Sequence, residues 1–484
     1  MKIPFIGQSY IAKSRVVDMQ ECVNLYPELN QSTAKNISAL IGTPGLELFC
    51  AINDHPVRGL YKTGAGSLYA VAGPDVCKIT AGGLSQVVGA LPTTTGHIKF
   101  AENDDSNAEG RGLMLVDGDG AYLINLHTNV MTTLDMPHSL TTDLPIKPTH
   151  VIFKDGMFII NESNSGYFWY SGLYDATSWE NENGNPYKTE GSSDKLLAIG
   201  TTNNEIWLLG SASSEVWYST GDSNSPLEKI HGGFSNIGIS APNSLASNGV
   251  NLFWLGASDQ GHGIVWMSNG YQPQRISHYG IEQQIAEMIT IGDAVGYCYQ
   301  QAGHPFYVLS FPEWGKTFCY DISTSLWHER AYRKPATGVM ESHLASCHAF
   351  FNDENIVGDR TTGNLYKMSL DTFTDNGGMI KRIRTTPHIS NENKRISINR
   401  IEIEMERGNG ASGQEAPSMC LSSSGDGGYT WSAERLGNIG QIGAYGSRVF
   451  WSRCGQARDR IFRLSTTAPV RICLVDAYVE AESE

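Results

Sequence analysis

The stretch LYKTGAGSLYAVAG, residues Leu60 to Gly73, contains a short unit that returns along most of the chain. The unit consists of a strand of aromatic or β-branched residues, a turn of Gly, Asn, Asp or Ser, and a second strand rich in Tyr or Trp. Glycine turns of this kind supply the positive φ angles that tight hairpins need. The unit therefore predicts a β-hairpin.

Six further copies follow, and successive copies begin about 43 to 53 residues apart. They are GLMLVDGDGAYLINL from Gly112, DGMFIINESNSGYFWY from Asp155, NEIWLLGSASSEVWY from Asn204, NLFWLGASDQGHGIVWM from Asn251, HPFYVLSFPEWGKTFCYD from His304 and FNDENIVGDRTTGNLYK from Phe351. This stride is the length of a propeller blade, a four-stranded sheet repeated around an axis. The sequence predicts an all-β fold with a six- or seven-bladed β-propeller over residues 56–375. The number stays open, because an N-terminal strand could close the last blade or lie outside it.

The chain changes character on both sides of the propeller. Residues 1–55 have little periodicity and contain Pro turns, so they predict an extended N-terminal arm that reaches another blade or another subunit. Beyond the linker TDNGGM the strands lengthen, and in RIEIEME, from Arg400, apolar and acidic residues alternate. One face of such a strand meets a core and the other meets water. Residues 376–484 therefore predict a C-terminal β-sandwich.

Composition agrees with this assignment and excludes several classes of protein. The 52 Gly, 21 Tyr and 10 Trp are typical of turns and half-buried strands. Nine scattered cysteines without a CxxC pair indicate neither a disulfide framework nor a zinc ribbon. No apolar run approaches the roughly 18 residues of a membrane span, and the first residues lack a secretory pattern. The sequence predicts no membrane insertion. The best helix pattern covers Tyr279 to Ile289.

The negative charge is concentrated in the first four fifths of the chain. Residues 380–484 hold 14 Lys and Arg against 12 Asp and Glu, a net charge of +2, so residues 1–379 hold 21 against 38, a net charge of −17. Nucleic acids are bound by clustered cations that neutralise phosphates, and this body lacks them. Such a surface suits DNA that slides past without adsorbing, or serves solubility alone.

The sharpest motif is SGDGGYTW, which fits the Asp box of sialidases and other carbohydrate-active proteins. Its defining residues are Ser424, Asp426, Gly428, Thr430 and Trp431. The carboxylate is predicted to accept backbone N–H groups within a tight hairpin, with the Trp packed beneath it. Asp boxes lie away from catalytic centres, so the motif indicates a structural hairpin rather than an enzyme.

Other acidic residues do not form a catalytic pattern. A glycosidase needs two carboxylates at a fixed separation, and no spacing singles out a pair among Asp104, Asp105, Glu313 and Glu341. The run Asp117 to Gly120, DGDG, lacks the further oxygen ligands of a calcium loop and predicts a hairpin turn. The sequence predicts no catalytic residues.

Metal and cofactor motifs are equally incomplete. His343, Cys347 and His348 would have near-zinc spacing on a helix, but a second ligand pair is missing. Phosphate-binding loops, a GxSxG elbow and HExxH are absent from the sequence. We therefore predict neither a metal site nor a cofactor.

One basic series stands out near the C-terminus. Its members are Arg448, Arg453, Arg458, Arg460 and Arg463. The series could contact DNA, or it could pair with the acidic propeller of an adjacent subunit. The subunit contact is favoured, because no nucleic-acid motif is interleaved with these arginines.

Several phrases resemble the tail hub, or packaged-DNA stabilisation protein, family of short-tailed bacteriophages (podoviruses). They are CVNLYPE from Cys22, TPGLELF from Thr43, GGFSNIGISAPNSLA from Gly232, WLGASDQGHGIVWMSNGYQPQRIS from Trp254 and RICLVDAYVE from Arg471. The resemblance covers essentially the whole chain, in the same order of segments. None of the phrases is a catalytic signature.

The resemblance implies a non-enzymatic virion protein of the tail, made in the host cytoplasm. Members of the family look like propellers that form a ring, usually of six copies, beneath the portal and adaptor rings. They stabilise packaged DNA, which passes through the lumen without specific binding, and they hold tailspikes or fibres and a tail needle or plug. The N-terminal arm and the sandwich are the candidate ring contacts. Deletion of residues 1–45 would then leave a folded monomer that fails to assemble.

Two other functions stay open at this point. One is a carbohydrate-binding or sialidase-like propeller on a tail fibre or cell surface, which activity on a sialoside would support. The other is a scaffold propeller in a cellular complex. The mass and symmetry of the purified particle would separate them.

Overall fold

The computed structural model describes the chain except for residues 31, 33–35, 106, 108–109, 180–185, 223–224, 259–260, 410–416 and 484. Its secondary structure is almost entirely β. The described residues contain one α-helix, α1 (Tyr279–Ala286), and a short 3-10 turn at Pro242–Ser244. The helix begins where predicted, with the His278 ring as its N-cap, and ends three residues earlier than predicted. The predicted all-β fold is confirmed.

The N-terminal segment, defined here as residues 1–51, contains seven short strands. They are β1 (Lys2–Ile3), β2 (Tyr10–Ile11), β3 (Met19–Gln20), β4 (Cys22–Val23), β5 (Leu25–Leu29), β6 (Ser38–Gly42) and β7 (Gly45–Ala51). Strands β2 and β3 pair only with each other, and the remaining five join sheets of the two domains.

The propeller follows as consecutive antiparallel units, which we number 1 to 7. Units 1 to 4 each form a separate four-stranded sheet. Their strands are β8 (Val57–Lys62), β9 (Leu68–Ala72), β10 (Asp75–Ile79), β11 (Ser85–Ala90); β12 (Lys99–Glu102), β13 (Gly112–Val116), β14 (Ala121–Asn125), β15 (Met131–Thr133); β16 (Val151–Lys154), β17 (Met157–Asn161), β18 (Tyr167–Tyr170), β19 (Tyr187–Lys188); and β20 (Leu196–Thr201), β21 (Glu205–Gly210), β22 (Ser214–Ser219), β23 (Leu227–Ser235).

Units 5 to 7 are extended by extra strands or by the N-terminal segment. Unit 5 contains β24 (Gly238–Ile239), β25 (Ala246–Ser247), β26 (Leu252–Ser258), β27 (Gly261–Asn269) and β28 (Gln272–Arg275). Unit 6 contains β29 (Val295–Gln301), β30 (His304–Phe311), β31 (Lys316–Asp321) and β32 (Leu326–Arg330), followed by the hairpin β33 (Tyr332–Arg333) and β34 (Met340–Glu341). Unit 7 contains β35 (Ala345–Phe351), β36 (Glu354–Asp359) and β37 (Asn364–Ser369), followed by β38 (Thr374–Asp375) and β39 (Gly378–Met379).

Each unit buries both faces of its central strands against its neighbours. In β9, Tyr69 and Val71 pack into a cluster shared with unit 2. The alternate residues Leu68, Ala70 and Ala72 pack into a cluster shared with unit 7. All five are inaccessible to solvent. Because successive strand residues point to opposite faces, a continuous apolar run is what a doubly covered sheet requires.

The innermost strands of the units form a closed ring. Contacts run from β12 to β16, β20, β25, β29 and β35, and from β35 to β8. The circle is completed where the Ile98 N–H donates to the Arg58 carbonyl at 3.1 Å. The units are therefore arranged around a central channel.

Unit 7 is closed by a strand from the other end of the chain. Strand β7 pairs antiparallel with β37, from Gly45 opposite Ser369 to Ala51 opposite Asn364. The fourth strand of this sheet is thus supplied by the N-terminal segment, one of the two possibilities that the sequence leaves open.

The C-terminal domain is a sandwich of two sheets. Its strands are β40 (Arg382–Thr385), β41 (Ile389–Ser390), β42 (Ile396–Met405), β43 (Ser418–Ser424), β44 (Arg435–Asn438), β45 (Val449–Ser452), β46 (Gln456–Ala457), β47 (Asp459–Thr466) and β48 (Cys473–Ser483). Apolar side chains from both sheets share one core, including Ile401, Trp451, Phe462 and Val479. The predicted β-sandwich is confirmed.

The N-terminal segment is built into both domains. In one sandwich sheet, β1 and β6 pair with β48, and β5 pairs with β6. In the other, β4 lies between β32 of the propeller and β40 of the sandwich. The propeller and the sandwich are thus connected through one ten-stranded sheet.

Candidate functional site

The residues of the predicted Asp box lie in the turn between β43 and β44. The Ser424 hydroxyl donates to Asp426 Oδ1 at 2.7 Å. The Asp426 carboxylate also accepts the Thr430 hydroxyl at 2.6 Å and the N–H groups of Tyr429 and Thr430 at 3.0–3.1 Å. These bonds, those from Thr430 foremost, hold the pKa of Asp426 well below its usual range. The carboxylate is committed to its own turn.

This turn lies directly against the N-terminal segment. Gly428 has a φ of 85°, and a Cβ there would come within 2.9 Å of the Met19 side chain. Arg15 Nη1 donates to the Gly428 carbonyl at 3.3 Å, and its guanidinium lies 5.3 Å from the centre of the Tyr429 ring. Glycine permits both the backbone angle and the close approach. The Asp box therefore shapes a docking surface for residues 15–19.

The five predicted arginines are not gathered into one patch. Arg448 lies beside β45 in one sheet, whereas Arg460 and Arg463 lie on β47 in the other. Arg448 forms a two-pronged ion pair with Glu402 at 2.5 and 2.6 Å, which lowers the pKa of that carboxyl. Arg463 pairs with Glu21 at 2.8 Å. Two of the arginines thus have carboxylate partners within the chain.

The remaining contacts of the series are to neutral groups. The Arg463 guanidinium lies 3.8 Å from the centre of the Trp431 ring, so it stacks on the half-buried Trp of the Asp box. Arg460 donates to the Gln456 carbonyl at 3.0 Å, and Arg458 donates to the Asn393 carbonyl. Arg453 is exposed, with a positive φ of 57°.

A buried arginine that the sequence analysis missed anchors the N-terminal segment. Arg384, on β40, is inaccessible to solvent. Its guanidinium donates to the Phe5 carbonyl at 2.8 Å, the Gln20 side chain at 2.7 Å, and more weakly to the carbonyls of Gln8 and Glu21 at 3.3 and 3.5 Å. The planar guanidinium thus holds two separate stretches of the N-terminal segment, residues 5–8 and residues 20–21.

The residue after Arg384 extends the same contact. The Thr385 hydroxyl donates to the Met19 carbonyl at 2.6 Å and accepts the Glu21 N–H at 2.6 Å. The Thr385 N–H donates to the Glu21 carbonyl at 3.0 Å. Strand β40 therefore binds residues 19–21 almost as a neighbouring strand would.

A second missed residue, Asn24, joins the propeller to the sandwich. Its amide nitrogen donates to the carbonyl of Ala331, just after unit 6, at 2.9 Å and to that of Lys381, just before β40, at 2.8 Å. Its amide oxygen accepts the Ala331 N–H at 2.9 Å. Asn24 is buried and has a φ of 55°, a conformation that Asn tolerates better than most residues.

We expect Asn24→Ala to lower the free energy of unfolding by about 2–3 kcal/mol, because it leaves buried backbone groups unpaired and strains the left-handed backbone. Urea unfolding at pH 7 measures the change. Asn376→Ala serves as the control, since Asn376 has a φ of 48° but an exposed side chain. Equal losses in the two variants would show that the amide contacts contribute nothing.

A buried acid lies where the propeller ends. Asp375 pairs with Leu46 of β7 and is 4% exposed, and its Oδ1 has no hydrogen-bond partner among the described residues. Burial raises the pKa of Asp375 to about 7, although the Arg382 and Arg330 guanidinium groups oppose the shift. The folded chain therefore holds this proton more tightly than the unfolded chain does.

This shift predicts a pH dependence of stability. The stabilisation from the protonated Asp375 is complete below about pH 4 and is lost as the pH rises through about 7. Asp375→Asn should remove a slope of up to about 1.4 kcal/mol per pH unit from this window. Urea unfolding between pH 4.5 and 8 measures it, with Asp371→Asn, an exposed acid, as the control. Unchanged slopes in Asp375→Asn would contradict the assignment.

The other motifs considered from sequence have local partners. Asp117 caps its hairpin by accepting the N–H groups of Asp119 and Gly120 at 2.9 Å. Cys347 and His348 lie on strand β35 and not on a helix, so the zinc-like helical spacing with His343 does not occur. The His348 Nε2 is 2.8 Å from Asn355 Oδ1. Glu341 pairs with Lys334 at 3.0 Å.

Across the residues that the structure describes, no group of three or more His, Cys, Asp or Glu side chains could hold a metal ion. Within the same residues, α1 is too short to cross a membrane, and no other helix could do so.

Comparisons with known proteins give matches to protein-family models and to solved structures. A family model described as Bacteriophage P22 Gp10, beta-propeller, matches residues 1–373, and one described as Bacteriophage P22 Gp10, beta-sandwich, matches residues 381–482. No curated protein matches the sequence.

Among solved structures, the chain matches three of low identity. The computationally designed Ika8 protein is 14% identical, with a TM-score of 0.38 over 72% of this chain and 100% of that one. The extracellular domain of BT4673 from B. thetaiotaomicron is 11% identical, with a TM-score of 0.44 over 88% of this chain and 58% of that one. The RRP9 WD40 repeats are 10% identical, with a TM-score of 0.39 over 68% of this chain and 99% of that one.

The two family models together cover both domains of the chain, including the N-terminal segment that joins them. The resemblance seen in the sequence is thereby confirmed. The chain belongs to the Bacteriophage P22 Gp10 family and is a phage tail structural protein composed of a β-propeller and a C-terminal β-sandwich.

Proposed function

We propose that this chain is the tail hub, or nozzle, of a short-tailed phage. In this role a ring of copies lies below the portal and adaptor rings, prolongs and closes the DNA exit channel, and stabilises the packaged genome. The ring also provides attachment for tailspikes or fibres and for a needle or plug. It acts without catalysis.

The observation that carries this proposal is the continuous sheet that connects the two domains. Strand β4 pairs with β32 on one side and β40 on the other, and Asn24 bonds to both flanks. Hydrogen-bonded strands constrain two domains more than a flexible linker does, so we expect the domains to move as one block. A rigid two-domain block suits a ring that must withstand the pressure of packaged DNA.

Ring closure needs two different faces on each copy. The sandwich offers exposed apolar residues on β44, β45 and their connection: Leu436 at 73% exposure, Ile442 at 60%, Tyr445 at 71% and Phe450 at 44%. Large exposed apolar side chains that cluster mark protein contacts. Arg453 and Arg458 lie close to this edge in sequence and are exposed. We assign this edge to the contact with the acidic propeller of the next copy.

The charge distribution suits a passage for DNA. Six copies at −15 each would carry −90 formal charges. Like-charge repulsion keeps phosphate groups from adsorbing, so DNA could leave quickly once the channel opens. The closed state then depends on a plug rather than on adhesive contacts.

The carbohydrate-binding alternative has less support. Its main indication was the Asp box, and the Asp426 carboxylate is engaged by Ser424 and Thr430 inside its own turn. The same turn packs on Met19 of the N-terminal segment.

Electron microscopy of the purified full-length chain tests the ring. We expect closed rings at micromolar concentration, lost in Leu436→Glu and kept in Leu84→Glu, which changes an equally exposed leucine on the propeller. Monomers at every concentration, alone and with portal and adaptor rings, would refute the proposal. Rings formed by Leu436→Glu would refute the assigned face.

Phage particles that lack the protein should lose DNA to added nuclease.

A further inference from the structure

Two large apolar side chains are exposed where the chain leaves α1 and at the turn between β30 and β31 of unit 6. Ile289 is 92% exposed, the highest value among the large apolar side chains that the structure describes, and Trp314 is 43% exposed. The Thr290 hydroxyl donates to Glu313 Oε2 at 2.6 Å, and the Glu313 N–H donates to Asp293 Oδ2 at 2.8 Å. These bonds join the chain neighbours of Ile289 and Trp314, so both apolar side chains lie in one region of the surface.

Two exposed carboxylates accompany these apolar side chains. Glu287 and Glu313 form no ion pair within the part of the chain that the structure describes. Glu287 is also the C-cap of α1, where a negative charge is unfavourable because it meets the negative end of the helix dipole. Residues that are locally unfavourable are expected at functional sites. We call the group of Glu287, Ile289, Glu313 and Trp314 the propeller patch.

The sandwich edge assigned to the ring contact carries the opposite charge. Arg435 lies beside Leu436 on β44, and its guanidinium donates to the carbonyls of Ser452 and Arg453 at 2.6 and 3.4 Å. These bonds hold Arg435 next to Arg453, and both side chains are exposed. Neither arginine has a carboxylate partner among the described residues. We call the group of Arg435, Leu436 and Arg453 the sandwich patch.

The propeller patch and the sandwich patch are complementary. Each has two charges of one sign without an ion-pair partner among the described residues, and each has exposed apolar surface beside those charges. In protein contacts, apolar anchors are removed from water, while opposite charges steer the encounter and fix the register. The two patches lie on different domains, and a closed ring requires two different faces on each copy.

We infer that the propeller patch of one copy binds the sandwich patch of the next copy, an inference that rests on the proposed ring. The glutamates of one patch face the arginines of the other, and the apolar side chains pack between them. The contact covers Ile289 and Trp314, which a single chain leaves in water. It also gives Glu287 the cationic partner that the last turn of α1 lacks.

Charge reversal on either patch should prevent assembly without unfolding the chain. Glu287→Arg with Glu313→Arg makes the propeller patch positive, and Arg435→Glu with Arg453→Glu makes the sandwich patch negative. Like charges then face each other within each variant, so the concentration at which half of the chain is in rings should rise at least about tenfold. Because all four side chains are exposed, urea unfolding of both variants should remain cooperative, as in the wild type.

An equimolar mixture of the two full-length variants tests whether the patches meet. The positive propeller patch of one variant would face the negative sandwich patch of the other, and the unchanged patches would meet at the alternate contacts. Rings with an even number of copies, as in the proposed hub of six, should therefore form again with the two variants alternating. Mass photometry and electron microscopy measure the rings. Glu47→Arg with Glu190→Arg, which reverses two exposed acids elsewhere on the propeller, should assemble as the wild type does.

The results for the wild type and for the mixture separate this contact from the proposed function. If the wild type forms rings, assembly of either charge-reversed variant alone would overturn the contact and leave the ring intact. A mixture that stays monomeric would do the same, because the two patches would then not face each other. A wild-type chain that forms no ring, alone or with portal and adaptor rings, would refute the proposed function and this contact together.

Discussion

Removal of residues 1–51 is expected to leave no folded monomer. The deletion takes away β7, the fourth strand of unit 7, so the ring of units loses its closure and the buried face of β37 becomes exposed. It also removes β1, β5 and β6 from one sandwich sheet and β4 from the other. These losses together exceed the roughly 5–15 kcal/mol of net stability that folded proteins have. Size-exclusion chromatography and near-UV circular dichroism should show aggregated or loosely packed protein.

A shorter truncation separates the contribution of β7 to the propeller from that of the other N-terminal strands to the sandwich. Removal of residues 1–43 keeps β7, so the propeller should remain closed and unfold cooperatively, while the sandwich loses its N-terminal strands. A monodisperse product with a native, cooperative urea transition after removal of residues 1–51 would show that β7 is dispensable. This expectation replaces the one from sequence, in which deletion of residues 1–45 leaves an intact monomer.

The propeller could be predicted because its signals are local. Each hairpin combines turn residues with apolar runs, as in Leu68–Ala72, and their stride requires no knowledge of distant partners. The Asp-box turn is local in the same way, since Ser424, Asp426 and Thr430 bond within seven residues.

The role of the N-terminal segment could not be predicted on these grounds. Strands of two residues, such as Cys22–Val23, have no periodicity to detect, and their pairing depends on partners more than 300 residues away. The run KRIRTT, from Lys381, resembles an exposed strand with alternating cations, yet its two arginines are buried. The left-handed backbone at Asn24, with a φ of 55°, could not be predicted from the residue type alone, because Asn is common in turns of many kinds.

Arg384→Met is expected to lower the free energy of unfolding by about 3–5 kcal/mol, because several acceptors lose their donor at once and each buried group left unpaired costs about 1–3 kcal/mol. Methionine keeps the length and apolar stem of arginine, but the carbonyls of Phe5, Gln8 and Glu21 lose their donor. Relief from burying a cation offsets part of the loss. The offset is small, since three carbonyls and the Gln20 side chain share a single guanidinium and lose it together.

Arg384→Lys should lose nearly as much stability as Arg384→Met, because a single ammonium cannot reproduce the planar fork that spans Phe5 and Gln20. Urea unfolding measures the stability, and hydrogen exchange should show faster exchange in residues 5–21 than in the propeller strands. Arg395→Met, at an exposed arginine of the same domain, should change stability by less than about 0.5 kcal/mol. If Arg384→Met is as mild as Arg395→Met, or if exchange rises equally throughout the chain, Arg384 does not anchor the N-terminal segment. A loss confined to that segment would establish that one buried guanidinium attaches it to the sandwich.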